Sequence, residues 1–235
     1  AKSAYTIVGT PVARFDIPAK VDGSAKYGVD LRLPQMSYAV VAASPVFGGT
    51  LASVDEAPAK AMRGVKKVVT LPDAVVVVAD NTWRAKEALA ALKPVWNDGA
   101  NAALTQESIF ASMNAALKGD LTEDHSSGDV DAALKAGGRV IEADYRVPFL
   151  AHATMETVNC TAQFDKGKLI IWGGFQNGLG ARVQAAKTSG LPVEDVTLHH
   201  TVMGGGFGRR GSTLDYLDKA IAVAREVEGP VQLVY

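Results

Sequence analysis

Val196-Thr-Leu-His-His-Thr-Val-Met-Gly-Gly-Gly-Phe-Gly-Arg-Arg-Gly-Ser-Thr-Leu-Asp215 decides how the chain is read. Alternating and β-branched residues (Val196, Leu198, Thr201, Val202) lead into Gly204, Gly205, Gly206 and Gly208, interrupted only by Phe207. Beyond them, Leu214, Leu217, Ile221 and Ala224 follow helical spacing. The pattern predicts a strand, a glycine loop and a helix. Each glycine weakens local order by roughly 0.5–1 kcal/mol relative to alanine, and a simple turn needs only one or two. So dense a run implies a backbone that a bulky partner must approach. Ser212 or Thr213 is placed to cap the helix, turning free N–H groups and a positive dipole end toward the loop, and Arg209 and Arg210 add two cations. Such a site suits a flat, anionic or phosphate-bearing ligand.

Two other readings fit the same residues. One is a plain strand-to-helix turn. The other is a nicotinamide-dinucleotide site, because Gly206-Phe-Gly208-Arg-Arg-Gly211 matches G-x-G-x-x-G. A Rossmann-like domain also wants an acidic residue at the end of the next strand, where Val231-Gln-Leu-Val-Tyr235 offers only Tyr235.

Working outward, the 235 residues are 48% hydrophobic with a formal charge of −1, the composition of a globular chain of one or two domains. This balance gives no electrostatic case for nucleic acid, and no apolar run is long enough for a transmembrane segment. The single cysteine, Cys160, excludes an internal disulfide and reads as a small core residue, which leaves the compartment open. The start, Ala1-Lys-Ser-Ala-Tyr5, has neither an initiator methionine nor a signal-peptide core, as expected of a processed or cut chain.

Residues 1–98 read as a first unit of short strands and two helices: strands at 36–42, 67–71 and 75–79, a helix at 56–62 after Asp55, and a second helix striped by Ala85, Ala88, Leu89 and Leu92. Thr82 is the expected cap of that second helix and Pro94 its stop. Residues 99–137 read as a polar linker with one helix (Ile109, Met113, Ala116, Leu117). Its Glu123-Asp124-His125 reads as a solvated loop rather than a metal site.

Residues 138–235 form a second unit, with strands at 140–147, 159–164 and 168–172, the last two joined by the turn Asp165-Lys-Gly-Lys168. Gly173-Gly-Phe-Gln-Asn-Gly178 is a second glycine-rich strand exit before a helix carrying Ala181, Ala185 and Ala186. The second unit thus runs strand, loop, helix twice, which places both loops at one end of a sheet. His152 and Glu156, spaced i, i+4, read as a buried polar pair or domain contact, and His199 and His200 as one packed and one exposed histidine.

Gly174-Phe-Gln-Asn177, then a helix, a strand and Met203-Gly-Gly-Gly-Phe-Gly208, resembles the cofactor-binding part of molybdenum hydroxylases of the xanthine dehydrogenase and aldehyde oxidase family. Phe149-Leu-Ala-His-Ala-Thr-Met-Glu-Thr157 with Asn159-Cys-Thr161 resembles the segment that opens the molybdenum-binding region, most closely in bacterial large subunits like isoquinoline 1-oxidoreductase beta. Arg14-Phe-Asp-Ile-Pro-Ala-Lys-Val-Asp-Gly-Ser-Ala-Lys-Tyr27 resembles the opening of the family's α/β hammerhead domain. The likeness covers nearly the whole chain.

It implies an α+β fold, an α/β hammerhead domain followed by the first part of a molybdopterin-binding domain. It implies molybdopterin, as the cytosine dinucleotide, in the parent protein, and iron-sulfur clusters on a small 2Fe-2S subunit. The remainder of the large subunit and a small-molecule aldehyde or N-heterocycle would be the other partners. Gln176 would donate its side-chain amide to an oxygen ligand of molybdenum, and Gly205, Gly206, Phe207 and Gly208 would wrap the metal end of the pterin through backbone N–H groups. Arg209 and Arg210 match the isoquinoline-like branch, either as cofactor-phosphate or as domain-packing contacts. No residue of this chain is expected to ligate the metal directly. The family's base glutamate lies downstream of these motifs, so no general base is assigned here and the chain alone is expected to be catalytically incomplete. The other reading of a partial chain is a non-catalytic fragment or interaction domain.

Overall fold

The computed structural model describes residues 4–235. A short helix α1 (Ile17–Val21) precedes β1 (Ser37–Ala43), β2 (Thr50–Ser53), α2 (Ala57–Lys60), β3 (Val65–Leu71), β4 (Ala74–Ala79), α3 (Thr82–Ala91) and β5 (Val95–Asn97). Then come α4 (Gln106–Ala116), α5 (Val130–Lys135), β6 (Asn159–Asp165), β7 (Lys168–Gly173), α6 (Gly178–Ser189), β8 (Val196–His200), α7 (Asp215–Ala224) and β9 (Val231–Val234). The mixture of helix and sheet is α+β.

Seven strands form one sheet in the order β3-β4-β1-β9-β6-β7-β8, and β2 pairs with β5 apart from it. Strand β9 is the seam between the sequence units: it runs parallel to β1 (Ser37 opposite Val231) and antiparallel to β6 (Cys160 opposite Leu233). All six residues of β4 are buried because both faces of this strand are covered. Val76 and Val78 join the larger core with Leu217 and Ile221 of α7, whereas Val75 and Val77 pack with Ala88 and Leu92 on the other face. That accounts for an unbroken valine run where a half-exposed strand would alternate.

The strands expected at 159–164 and 168–172 form, and their turn carries Lys166 and Gly167 at φ of 48° and 80°. Both central residues of a type I′ hairpin turn take positive φ. Several local expectations are corrected. Residues 140–147 form no strand; they are irregular and exposed, and among the described residues no strand offers them a ladder. Alternating apolar residues specify a strand only where a neighbour satisfies the backbone. Residues 99–137 hold a second helix, α5, capped by Asp129, which accepts the Ala132 N–H at 2.8 Å. Asn81, not Thr82, caps α3, its side chain accepting the Arg84 N–H at 2.9 Å, which places the start of the helix at Thr82. Among the described residues, no helix is long and apolar enough to cross a membrane.

Candidate functional site at the paired loops

Strands β7 and β8 are adjacent and parallel, with Gly173 opposite His200, so the loops that leave them emerge at the same end of the sheet. They touch. A Cβ on Gly174 would stand 2.9 Å from the Cβ of Met203, and one on Gly206 would stand 2.6 Å from Oε1 of Gln176. At both positions the missing side chain lets one loop lie on the other.

Gln176 Oε1 accepts the backbone N–H of Gly208 at 3.0 Å and that of Arg210 at 3.3 Å, while the Gln176 backbone N–H donates to the Arg210 carbonyl at 2.8 Å. Two donors converging on one atom fix which end of the amide is oxygen. The Nε2 end has no protein acceptor among the described residues, and Gln176 is exposed. Between the anchored ends of the loop, the N–H groups of Gly205, Gly206 and Phe207 likewise meet no protein acceptor, although Gly206 is buried. Gly205 and Gly208 take φ of 107° and 93°, and Phe207, at φ 50°, is 74% exposed. A non-glycine residue held at positive φ with its ring in solvent is a strained arrangement of the kind found at ligand sites. Consecutive unpaired amides beside a free carboxamide donor fit a ligand rich in oxygen and nitrogen acceptors, such as a pterin carrying an oxo-metal centre.

Of the two roles open to the cations, the contacts seen are those of packing within the protein. Arg209 donates from Nη1 to the Thr213 carbonyl at 3.0 Å, pairs with Asp215 at 2.7 Å, and lies over the rings of Tyr216 and Tyr235 at 5.6 Å each. Asp215 is pulled two ways: burial raises its pKa, but hydrogen bonds from Arg209 and Tyr235 prevail and hold it below the usual carboxylate value. Helix α7 starts after Leu214 without a side-chain cap, so neither Ser212 nor Thr213 serves; Asp215 and Asp218 occupy its first turn and answer its dipole from within the protein. The Arg210 side chain is fully buried and paired with Glu156 at 3.1 Å.

Glu156 was identifiable from sequence only as a buried polar residue; its partner is Arg210 instead of His152, which is exposed and shares no helix with it. The missed signal is the buried charge that an unusual Arg-Arg pair after a glycine loop requires. Histidines 199 and 200 are both exposed: His199 stacks on Trp172 at 5.4 Å, and His200 Nε2 lies 2.6 Å from the Phe175 carbonyl. Residues 123–125 are exposed, and no metal-binding group of three occurs among the described residues. The Rossmann-like alternative fails on topology. The unit β8, α7, β9 skips two strands, β6 and β7, where a dinucleotide fold would place its strands side by side.

Comparison with known proteins agrees. Residues 113–235 match the molybdopterin cofactor-binding domain family. The chain is 28% identical over 244 aligned positions to isoquinoline 1-oxidoreductase subunit beta of Brevundimonas diminuta, covering 97% of this chain and 31% of the relative. It is 27% identical to the aldehyde oxidoreductase molybdenum-binding subunit PaoC of Escherichia coli K12, covering 97% and 35%. The chain therefore spans about a third of the length of these curated relatives. Its fold is that of quinoline 2-oxidoreductase from Pseudomonas putida 86, at a TM-score of 0.70 and 20% identity over 97% of this chain and 34% of that one. Aldehyde oxidoreductase from Desulfovibrio gigas superposes equally well, at 0.70 and 20% identity over 97% and 30%. The matched region takes in more than half of the chain and every residue of the two loops, and the chain belongs to the molybdenum hydroxylases through their molybdopterin cofactor-binding domain.

Proposed function

We propose that this chain is part of the large subunit of an enzyme that oxidises aldehydes or hydroxylates N-heterocycles with water. Residues 1–98 would be the hammerhead domain, 99–137 a linker and 138–235 the first part of the cofactor domain. The observation that carries this reading is the row of unpaired amides at Gly205, Gly206 and Phe207 beside the free Nε2 of Gln176. When bound, the molybdenum centre of a molybdopterin cytosine dinucleotide supplies the oxidation, and iron-sulfur clusters on a small 2Fe-2S subunit carry the electrons away.

The residues here bind and orient. The Gln176 carboxamide donates a hydrogen bond without ionising, so its donor survives changes of charge at the centre. The loop amides donate from a backbone that needs no rearrangement. Phe207 presents an exposed ring on the same loop. Arg209 and Arg210 act as packing cations that stiffen the loop from behind. The proton-accepting base is not among these residues.

The test is metal analysis of the natively purified full-length protein together with its partner subunit. Molybdenum close to one per large subunit, with iron, is the expected result; a preparation that binds neither overturns the assignment and leaves the non-catalytic reading.

A further inference from the structure

We propose that Glu156 is a positioning residue: a buried clamp that ties both ends of the glycine loop to one side chain and, through Arg210, fixes Gln176. It deepens the reading above and rests on it only for the consequence to the cofactor.

Gly204 and Arg210 flank the unpaired amides, and Glu156 holds both. Its Oε2 accepts the Gly204 N–H at 2.9 Å and lies 3.1 Å from Arg210 Nη2. Its backbone N–H donates to the Gly204 carbonyl at 3.0 Å, and its carbonyl accepts from Arg210 Nη2 at 2.8 Å. Oε1 accepts from the Val29 N–H at 3.1 Å and Asn159 Nδ2 at 2.9 Å, which anchors the clamp to β6 and to the chain ahead of β1. The side chain fits because residue 204 is glycine: a Cβ there would stand 2.4 Å from the Cβ of Glu156. On the far side, Arg210 holds Gln176 through its own backbone, its N–H donating to Oε1 and its carbonyl accepting the Gln176 N–H. One chain of contacts therefore runs from Glu156 through Arg210 to the carboxamide.

The arrangement needs a carboxylate. Every group facing the two oxygens is a donor, so an amide in its place turns an N–H₂ against two donors whichever way it is flipped. The Arg210 side chain is fully buried, and its Nε and Nη1 have no partner among the described residues, so the Glu156 charge is its near neutraliser.

The experiment is hydrogen-deuterium exchange on the full-length protein, comparing wild type with Glu156→Gln. The hydrogen-bonded amides of Gly204, Gly208, Arg209 and Arg210 are expected to exchange at least about tenfold faster, while those of β6 and β9 stay within about twofold. Equal acceleration in loop and strands, or none in the loop, overturns the clamp. If the lone Arg210 charge prevents folding, Glu156→Gln with Arg210→Met removes both charges; it should fold with a loosened loop, and a protected loop in that variant overturns the proposal. In parallel, molybdenum content of the folded variant should fall at least about tenfold below wild type, as expected when an ordered binding loop is lost. Full molybdenum content beside a loosened loop overturns the link to the cofactor and leaves the clamp standing. A wild type that carries no molybdenum sinks the functional reading alone.

Discussion

Oε1 of Gln176 receives the N–H of Gly208 at 3.0 Å, and this contact leaves the other end of the carboxamide as a donor with no acceptor among the described residues. The sequence expectation of a donor at residue 176 thus acquires a direction, set by a glycine thirty-two positions later.

Gln176→Glu keeps an oxygen for the Gly208 and Arg210 amides and replaces the free N–H₂ by an acceptor. The full-length variant should fold and retain its metal. A hydrogen bond to a charged group is worth roughly 1.5–3 kcal/mol, so turnover should fall by about 10- to 150-fold if the bond strengthens in the transition state. Single-turnover reduction of the enzyme by an aromatic aldehyde measures it; a rate within about twofold of wild type makes Gln176 a turn residue only.

Gly206→Val places a branched side chain 2.6 Å from Gln176 Oε1, with the added methyls beyond it. Residue 206, unlike Gly205 and Gly208, is not at positive φ, so the constraint is close approach and not backbone strain. Overpacking of this kind costs typically about 1–3 kcal/mol, and here it pushes the carboxamide out of place. Molybdenum content should drop before the thermal midpoint does, and unchanged content would refute the close-approach role.

Arg209→Ala removes the cation between Tyr216 and Tyr235 and the partner of Asp215. Thermal melts should show a loss with cofactor content preserved. The sign with pH follows from Asp215. Its pKa is lowered in the folded chain, so its contribution is present above the unfolded value and fades as pH falls through the folded one. The gap in midpoint between wild type and variant should be widest near neutrality and narrow below about pH 4. A gap independent of pH would show that ring stacking alone matters.

Cys160 is fully buried in β6, and burial pushes its thiol well above the usual range. A maleimide should label it only in denaturant, and rapid labelling of the native protein would show that β6 opens.

The strongly periodic local elements, the hairpin at 165–168 and the two glycine loops with Gln176 and Phe207 are legible along the chain. Helical and alternating patterns are written in neighbouring residues, and glycine density records a close approach whatever the partner. The placement of the loops at one end of a sheet is legible too, because two successive strand-loop-helix units turn the same way. Which charges meet depends on packing between distant segments. Glu156 and Arg210 lie fifty-four positions apart, and nothing local marks them as partners. Nor does local sequence show that Arg209 faces two tyrosines, or that 140–147, alternating like a strand, finds no neighbour to complete its hydrogen bonds. Burial of a charge and completion of a ladder are properties of what surrounds a residue, and the chain acquires those surroundings only when distant segments pack together.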